Sequence, residues 1–173
     1  LSIANSMKIP TISLQVVLQS DHPRYVKSIA NKFLMLSQQQ QSLYTSAHPN
    51  SHNQVEVVGS ILIDAGLERY DKYDRISSRA ELGVDSNEFI LLFASQYGLE
   101  NLGIDSVRIL QNAISKFKNI KLIVKTHPRE SEEKIEAYHA LSLENKFQTK
   151  VVLDGDIYKY VKASDIVFTH FSN

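Results

Sequence analysis

Apolar positions in the second half of the chain alternate between short continuous runs and helical repeats. Residues 89–94, 120–124, 151–153 and 166–169 are apolar runs of the length of buried strands. Between them Val107, Leu110, Ile114 and Phe117 return at helical spacing, with Asp105 or Ser106 placed to cap that helix. Ser131 predicts the start of a second helix, whose first turn holds Glu132 and Glu133, where negative charge suits the helix dipole. Residues 157–163 predict a third, short one. Strands alternating with helices build a parallel sheet with crossover helices. The fold class expected is therefore α/β, a Rossmann-like parallel-sheet domain.

The first half is more broken. Residues 1–7 read as the end of a helix, and 11–17, after Ile9-Pro10, as an extended β-branched run. Pro23 breaks a loop over 20–25. Residues 33–36 predict a strand, Ser37 caps a helix over 38–45, and 47–53 form a polar loop. Residues 55–58 predict another strand, closed by Gly59. The charged, tyrosine-rich stretch 61–76 reads as a connector along the surface. Ser78 then opens a short helix with Glu81 as its capping-box partner, and Gly83 ends it. No repeat of fixed period is present.

Composition narrows the classes. Hydrophobic residues at 43% and charged ones at 22% suit a folded core, and 19 basic against 19 acidic residues leave no net field to attract nucleic acid or an anionic membrane. Without cysteine there is no disulfide, zinc–thiolate site or thiol nucleophile. No apolar run approaches the ~20 residues of a membrane span, and no secretory signal is visible. The chain begins at Leu1 and stops at Asn173 just after a strand, so both ends are expected to be cuts in a longer, cytosolic protein.

In a parallel sheet, ligands lie at the carboxyl ends of the strands. Those ends carry Ser95-Gln96-Tyr97-Gly98, Lys125-Thr126-His127-Pro128, Asp154-Gly155-Asp156 and His170-Phe171-Ser172. His127 is the sharpest candidate. A strand-end imidazole can donate to a phosphate oxygen or move a proton, and Pro128 fixes the chain's exit. Ser95 and Ser172 can offer hydroxyl and N–H groups to a phosphate, or serve as ordinary turn residues. Asp156 has two roles open, a bond to a ribose hydroxyl and a helix cap, the cap being the commoner. His170 points toward this edge or away from it. His22, His48, His52 and His139 lie in loops or on a helix surface and read as solvated. Walker-type, G-x-G-x-x-G and G-x-S-x-G motifs are absent.

These residues together resemble a known family. Val55-Glu56-Val57-Val58-Gly59-Ser60 followed by Asp64 is similar to the interdomain crossing of GT-B fold enzymes. Residues 89–96 resemble the first strand and donor loop of their second domain, Lys125-Thr126-His127-Pro128 their "HP" motif, and Asp156-Ile157-Tyr158 with residues 163–172 their last signature. The combination is most similar to bacterial surface-polysaccharide enzymes: capsule transferases, polysialyltransferase-like proteins and CDP-glycerol glycerophosphotransferases. The resemblance implies a remnant of the acceptor-side domain over 1–58 and an incomplete nucleotide-donor domain over 59–173. It implies His127 as catalytic residue. The donor phosphates and nucleotide would be held by Gly59, Ser95, Gln96, Thr126, His127, Pro128, Asp156, Ile157 and Ser172. It implies transfer of a sugar or polyol phosphate from a nucleotide-sugar or CDP-polyol donor to a glycan acceptor. No carboxylate pair is placed like a metal site, so no metal is expected, and no cofactor beyond the donor. The setting implied is the cytoplasm, at the inner-membrane face where the longer protein would associate peripherally. The family's histidine and glycine after Gln15 are replaced by Val16 and Val17, and Asn173 stands where a second serine or threonine is usual. The resemblance further implies a catalytic base in the first domain and a donor-binding helix after Asn173, neither of which the chain contains, so the chain alone is expected not to turn over substrate. Two other readings remain open, a nucleotide-sugar 2-epimerase of the same fold and a non-catalytic Rossmann-like binding module.

Overall fold

The computed structural model describes residues 2–16, 27–98, 100–144 and 148–170. They form two compact units, Leu1–Ala65 and Gly66–Ser172.

In the first unit, helix α1 (Ser2–Ser6) precedes strand β1 (Ile12–Leu14), and β2 (Lys32–Met35) leads into α2 (Gln38–Ala47). A 3-10 turn over Pro49–Gln54 occupies the expected polar loop, and β3 (Val55–Val57) follows. The strands form a parallel sheet in the order β1-β2-β3. Ser37 caps α2 by accepting from the Gln40 N–H at 3.2 Å. Met35, Tyr44 and Val55 make the small core, with the Phe33 ring edge-on to Tyr44. A buried Gln15 side chain donates to Gln40 at 2.7 Å, tying the end of β1 to α2.

The stretch expected as a connector is helical: α3 (Ile61–Asp71) and α4 (Arg75–Leu82). Residues 61–71 contain no proline and many good helix formers. Their apolar members lie largely exposed, which hides the periodicity. The cap of α4 is Asp74, whose carboxylate accepts from the Ser77 N–H at 2.8 Å, and Ser78 is buried inside the helix. Gly83 ends α4 with φ 67°, as expected.

The second unit continues with β4 (Phe89–Ala94), α5 (Glu100–Ile114), β5 (Ile120–Lys125), α6 (Glu132–Glu144), β6 (Thr149–Val152), α7 (Ile157–Ala163) and β7 (Ile166–Phe168). Helix α5 starts well before the expected caps, so Asp105 and Ser106 lie inside it and the Ser106 hydroxyl donates to the Leu102 carbonyl at 2.8 Å. The sheet runs β6-β5-β4-β7 with every neighbouring pair parallel. This is the α/β, Rossmann-like architecture, and it brings all four carboxyl strand ends to one edge.

Side chains alternate across the sheet, giving a core on each face. Leu91, Phe93, Leu122 and Val124 pack with Val107, Leu110, Tyr138 and Leu141 of α5 and α6. Ile90, Leu92 and Ile123 pack with Leu82, Tyr160 and Ala163 of α4 and α7. Burying each large aliphatic or aromatic side chain contributes about 1.5–3 kcal/mol. At the amino edge, Asp165 accepts from the Ile90 N–H at 2.7 Å, Arg75 at 2.5 Å and Arg79 at 3.3 Å, pinning α4 to β4 and β7.

Candidate functional site

The carboxyl edge is built around the loops after β4 and β5. His127 follows β5 and is half-buried. Its backbone N–H donates to the Ser95 hydroxyl oxygen at 2.9 Å. The Glu130 N–H returns to the His127 carbonyl at 3.0 Å, closing a turn with Pro128 as its second residue. The Arg129 N–H donates to His127 Nδ1 at 3.1 Å. An Nδ1 that accepts holds no proton, so the neutral ring carries its proton on Nε2. Nε2 has no partner among the described residues, and the exposed Tyr97 ring lies 6.2 Å from the imidazole, centroid to centroid. The edge therefore presents one oriented, uncommitted N–H.

Ser95 is spent differently from the expectation. Its N–H continues the sheet ladder to the Lys125 carbonyl at 3.0 Å. Its hydroxyl donates to Glu130 at 2.8 Å while accepting from His127, and the residue is buried. Neither donor is left for a phosphate, because a hydroxyl has a single proton. Thr126 is similarly engaged, its N–H at 3.1 Å and its hydroxyl at 3.4 Å both meeting the Val152 carbonyl.

Sequence reasoning missed the groups beneath. The side chains of Glu130 and Lys134 are 2% and 9% exposed and form an ion pair at 3.0 Å. Lys134 Nζ also donates to the Gln96 carbonyl at 3.4 Å. The spacing of four residues was a visible helical-pair signal, but nothing local marked the pair as buried. Tyr138, on the same helix, is fully buried, and its hydroxyl has no hydrogen-bond partner among the described residues. Burial pushes this phenol far above its usual range, and the Glu130 charge adds to the effect. Lys125, named with its strand end but given no role, is buried and donates to the Thr126 and Leu153 carbonyls at 2.8 and 2.7 Å. Desolvation lowers its pKa against the opposing charge of Asp154.

Asp156 caps α7, accepting from the Tyr158 N–H at 3.2 Å, and pairs with Arg69 at 2.8 Å. Desolvation would raise its pKa, but the Tyr158 N–H, Arg69 and the Tyr73 hydroxyl outweigh that and hold it below the usual carboxylate value. Ile157 opens α7 and packs on the adjoining core. His170 stacks edge-on against Phe93 at 5.6 Å. The Ser106 hydroxyl, its proton given to Leu102, accepts from His170 Nε2 at 2.9 Å. The structure thus gathers Ser95, Gln96, Thr126, His127 and Pro128 at the edge formed by β4 and β5. Gly59 lies in the first unit, just after β3, with φ 83°. Ser172 lies outside the described residues. Among the described residues no group of three His, Asp or Glu side chains is placed to hold a metal, and no helix is long and apolar enough to cross a membrane.

No family model matches the chain, and no curated protein does. Solved structures do. The S. aureus MnaA–UDP co-structure matches with a TM-score of 0.68 at 12% identity, over 96% of this chain and 47% of that one. UDP-N-acetylglucosamine 2-epimerase from Rickettsia bellii matches with 0.63 at 15% identity, over 96% and 46%. UDP-GlcNAc 2-epimerase from Methanocaldococcus jannaschii matches with 0.62 at 16% identity, over 97% and 51%. The chain spans about half the length of these structures. At such identities the likeness is one of fold, the GT-B-like fold of nucleotide-sugar enzymes.

Proposed function

We propose that the second unit is the nucleotide-binding half of a GT-B-type enzyme that acts on a nucleotide-activated sugar or polyol, with the donor phosphates at the carboxyl edge of β4 and β5. The observation that carries this is His127, whose turn and Nδ1 bond aim an uncommitted Nε2–H outward at the strand ends where such sheets bind ligands. In this reading Nε2–H donates to a phosphate oxygen and strengthens its bond as negative charge gathers on the departing nucleotide. Gln96, Pro128 and Thr126 shape the cradle. Asp156 and Ile157 act through the start of α7. The first unit is the end of the acceptor-side domain.

The first reading of the reaction is transfer to a surface glycan. The donor's sugar–oxygen or polyol phosphate–oxygen bond breaks, the acceptor hydroxyl forms the new bond, and its proton passes to a base in the rest of the protein. Glu130, the carboxylate nearest His127 in sequence, is locked in an ion pair, and a half that only has to receive a leaving phosphate needs no second proton-transfer group. The second reading, epimerisation of the bound nucleotide-sugar, is favoured by the fold likeness to UDP-GlcNAc 2-epimerases. A product assay on the whole protein separates the two: elongated glycan or epimerised nucleotide-sugar.

Calorimetric titration with UDP, CDP, GDP and CMP tests the site itself. Base-dependent binding is expected, weakened about 10-fold or more in His127→Ala by loss of a charge-assisted bond. A folded protein that binds none of the four, or a His127→Ala variant that binds as tightly as the native chain, would sink the assignment.

A further inference from the structure

We propose that Glu130 and Lys134 are positioning residues of the carboxyl edge, a buried ion pair that sets the direction of the His127 imidazole and does not itself touch the ligand. The consequence for donor binding rests on the phosphate-site reading above. The geometry does not.

Both side chains are at least nine-tenths buried, and burying an ion pair is no better for stability than burying apolar groups of similar size. Stability therefore gives no reason for this pair at this place. Its connections do. Ser95 has one hydroxyl proton, and the Glu130 carboxyl oxygen accepts it at 2.8 Å. The serine's lone pairs are then the groups that face the His127 N–H at 2.9 Å. Were Glu130 absent, the serine proton would be free to rotate toward other acceptors and the clamp on His127 would loosen. Lys134 reaches both carboxylate oxygens of Glu130, at 3.1 and 3.0 Å. Its third N–H meets the Gln96 carbonyl. With all three protons engaged, the ammonium is a brace between the β4 and β5 loops rather than a phosphate ligand. Room for it comes from α5, where Gly103 faces Lys134 and Tyr138.

The chain of constraint runs Lys134, Glu130, Ser95, His127 N–H, while Glu130 and Arg129 close the turn that pins Nδ1. The same residues thus set both where the imidazole sits and which nitrogen carries its proton.

Long-range nitrogen–proton NMR of the His127 ring reads this directly in the full chain, without ligand. The native neutral ring is expected as the Nε2–H tautomer. In Ser95→Ala and Lys134→Met the two ring-nitrogen shifts should move toward each other as the tautomers mix. Leu141→Ala, in the same core but outside the network, should lower the melting temperature and leave the ring shifts in place. UDP or CDP affinity should fall about 10-fold in both network variants, the effect of one displaced hydrogen bond. Should Lys134→Met fail to fold, Ser95→Ala, which removes a single oxygen, carries the test. Ring shifts that stay native in a folded Ser95→Ala variant, or that move equally in Leu141→Ala, overturn the proposal. Shifts that move in a protein that binds no nucleotide uphold the positioning role and refute the phosphate-site reading.

Discussion

Replacing Gly103 with alanine sets helix propensity against packing. In an ordinary helix interior alanine is better than glycine by about 1 kcal/mol. Gly103 is buried in α5, however, and a Cβ there would overlap the Tyr138 hydroxyl oxygen and stand 3.3 Å from Lys134 Cε. The overlap with Tyr138 cannot be relieved easily, since that side chain is fully buried, whereas the Lys134 contact needs a shift of only a few tenths of an ångström. Overpacking of this kind costs about 1–3 kcal/mol, so Gly103→Ala should lower stability by about 0–2 kcal/mol, the difference of the two terms. The Tyr138→Phe background removes the atom that clashes and, because that hydroxyl has no partner among the described residues, deletes no hydrogen bond seen there. There the same substitution should stabilise by about 1 kcal/mol. Urea unfolding of the four proteins, followed through amide signals of the second unit, gives the coupling energy, expected at about 1–3 kcal/mol. If Gly103→Ala shifts stability alike in both backgrounds, to within about 0.5 kcal/mol, the packing of α5 on Tyr138 is not as described.

Two further predictions test other parts of the fold. Desolvation would raise the Asp165 pKa, but the Ile90 N–H, Arg79 and Arg75 together hold it below the ordinary value. A depressed folded value means that its stabilising effect is complete above about pH 4, the unfolded value, and is lost as pH falls through the folded one. Asp165→Asn should therefore flatten the acid limb of the stability–pH curve in thermal melts from pH 6 downward, and an unchanged limb would contradict the three-donor geometry. In the first unit, Ser37→Ala should cost about 1 kcal/mol through loss of the α2 cap, seen as faster amide exchange at Gln40, and unaltered exchange would rule out that cap.

The alternation that defines the second unit was legible because it is local. Residues 89–94 and 157–163 match β4 and α7 at both ends, since a continuous apolar run and an Asp cap need no distant partner to declare themselves. Local patterns also placed His127 and Pro128 at a carboxyl strand end. Where local signals were weak or misleading, the reading failed. The apolar side chains of α3 are exposed, and Ser78 offered a false cap that Asp74 supplies instead. Helix α5 begins at Glu100, before any cap residue that spacing had singled out.

Residue types and spacing thus determined the fold class, the order of the strands along the chain and the loops that could carry chemistry. Tertiary structure decided what those residues can do. Ser95 meets Glu130 across 35 positions of sequence and His127 across 32, and only that meeting removes its proton from any ligand. The His127 tautomer follows from the turn that brings the Arg129 N–H to Nδ1. The sheet order β6-β5-β4-β7 places the four strand ends along one edge. A hydrogen bond's direction depends on which other partner has already taken the proton, and that partner is set by the packing of distant segments.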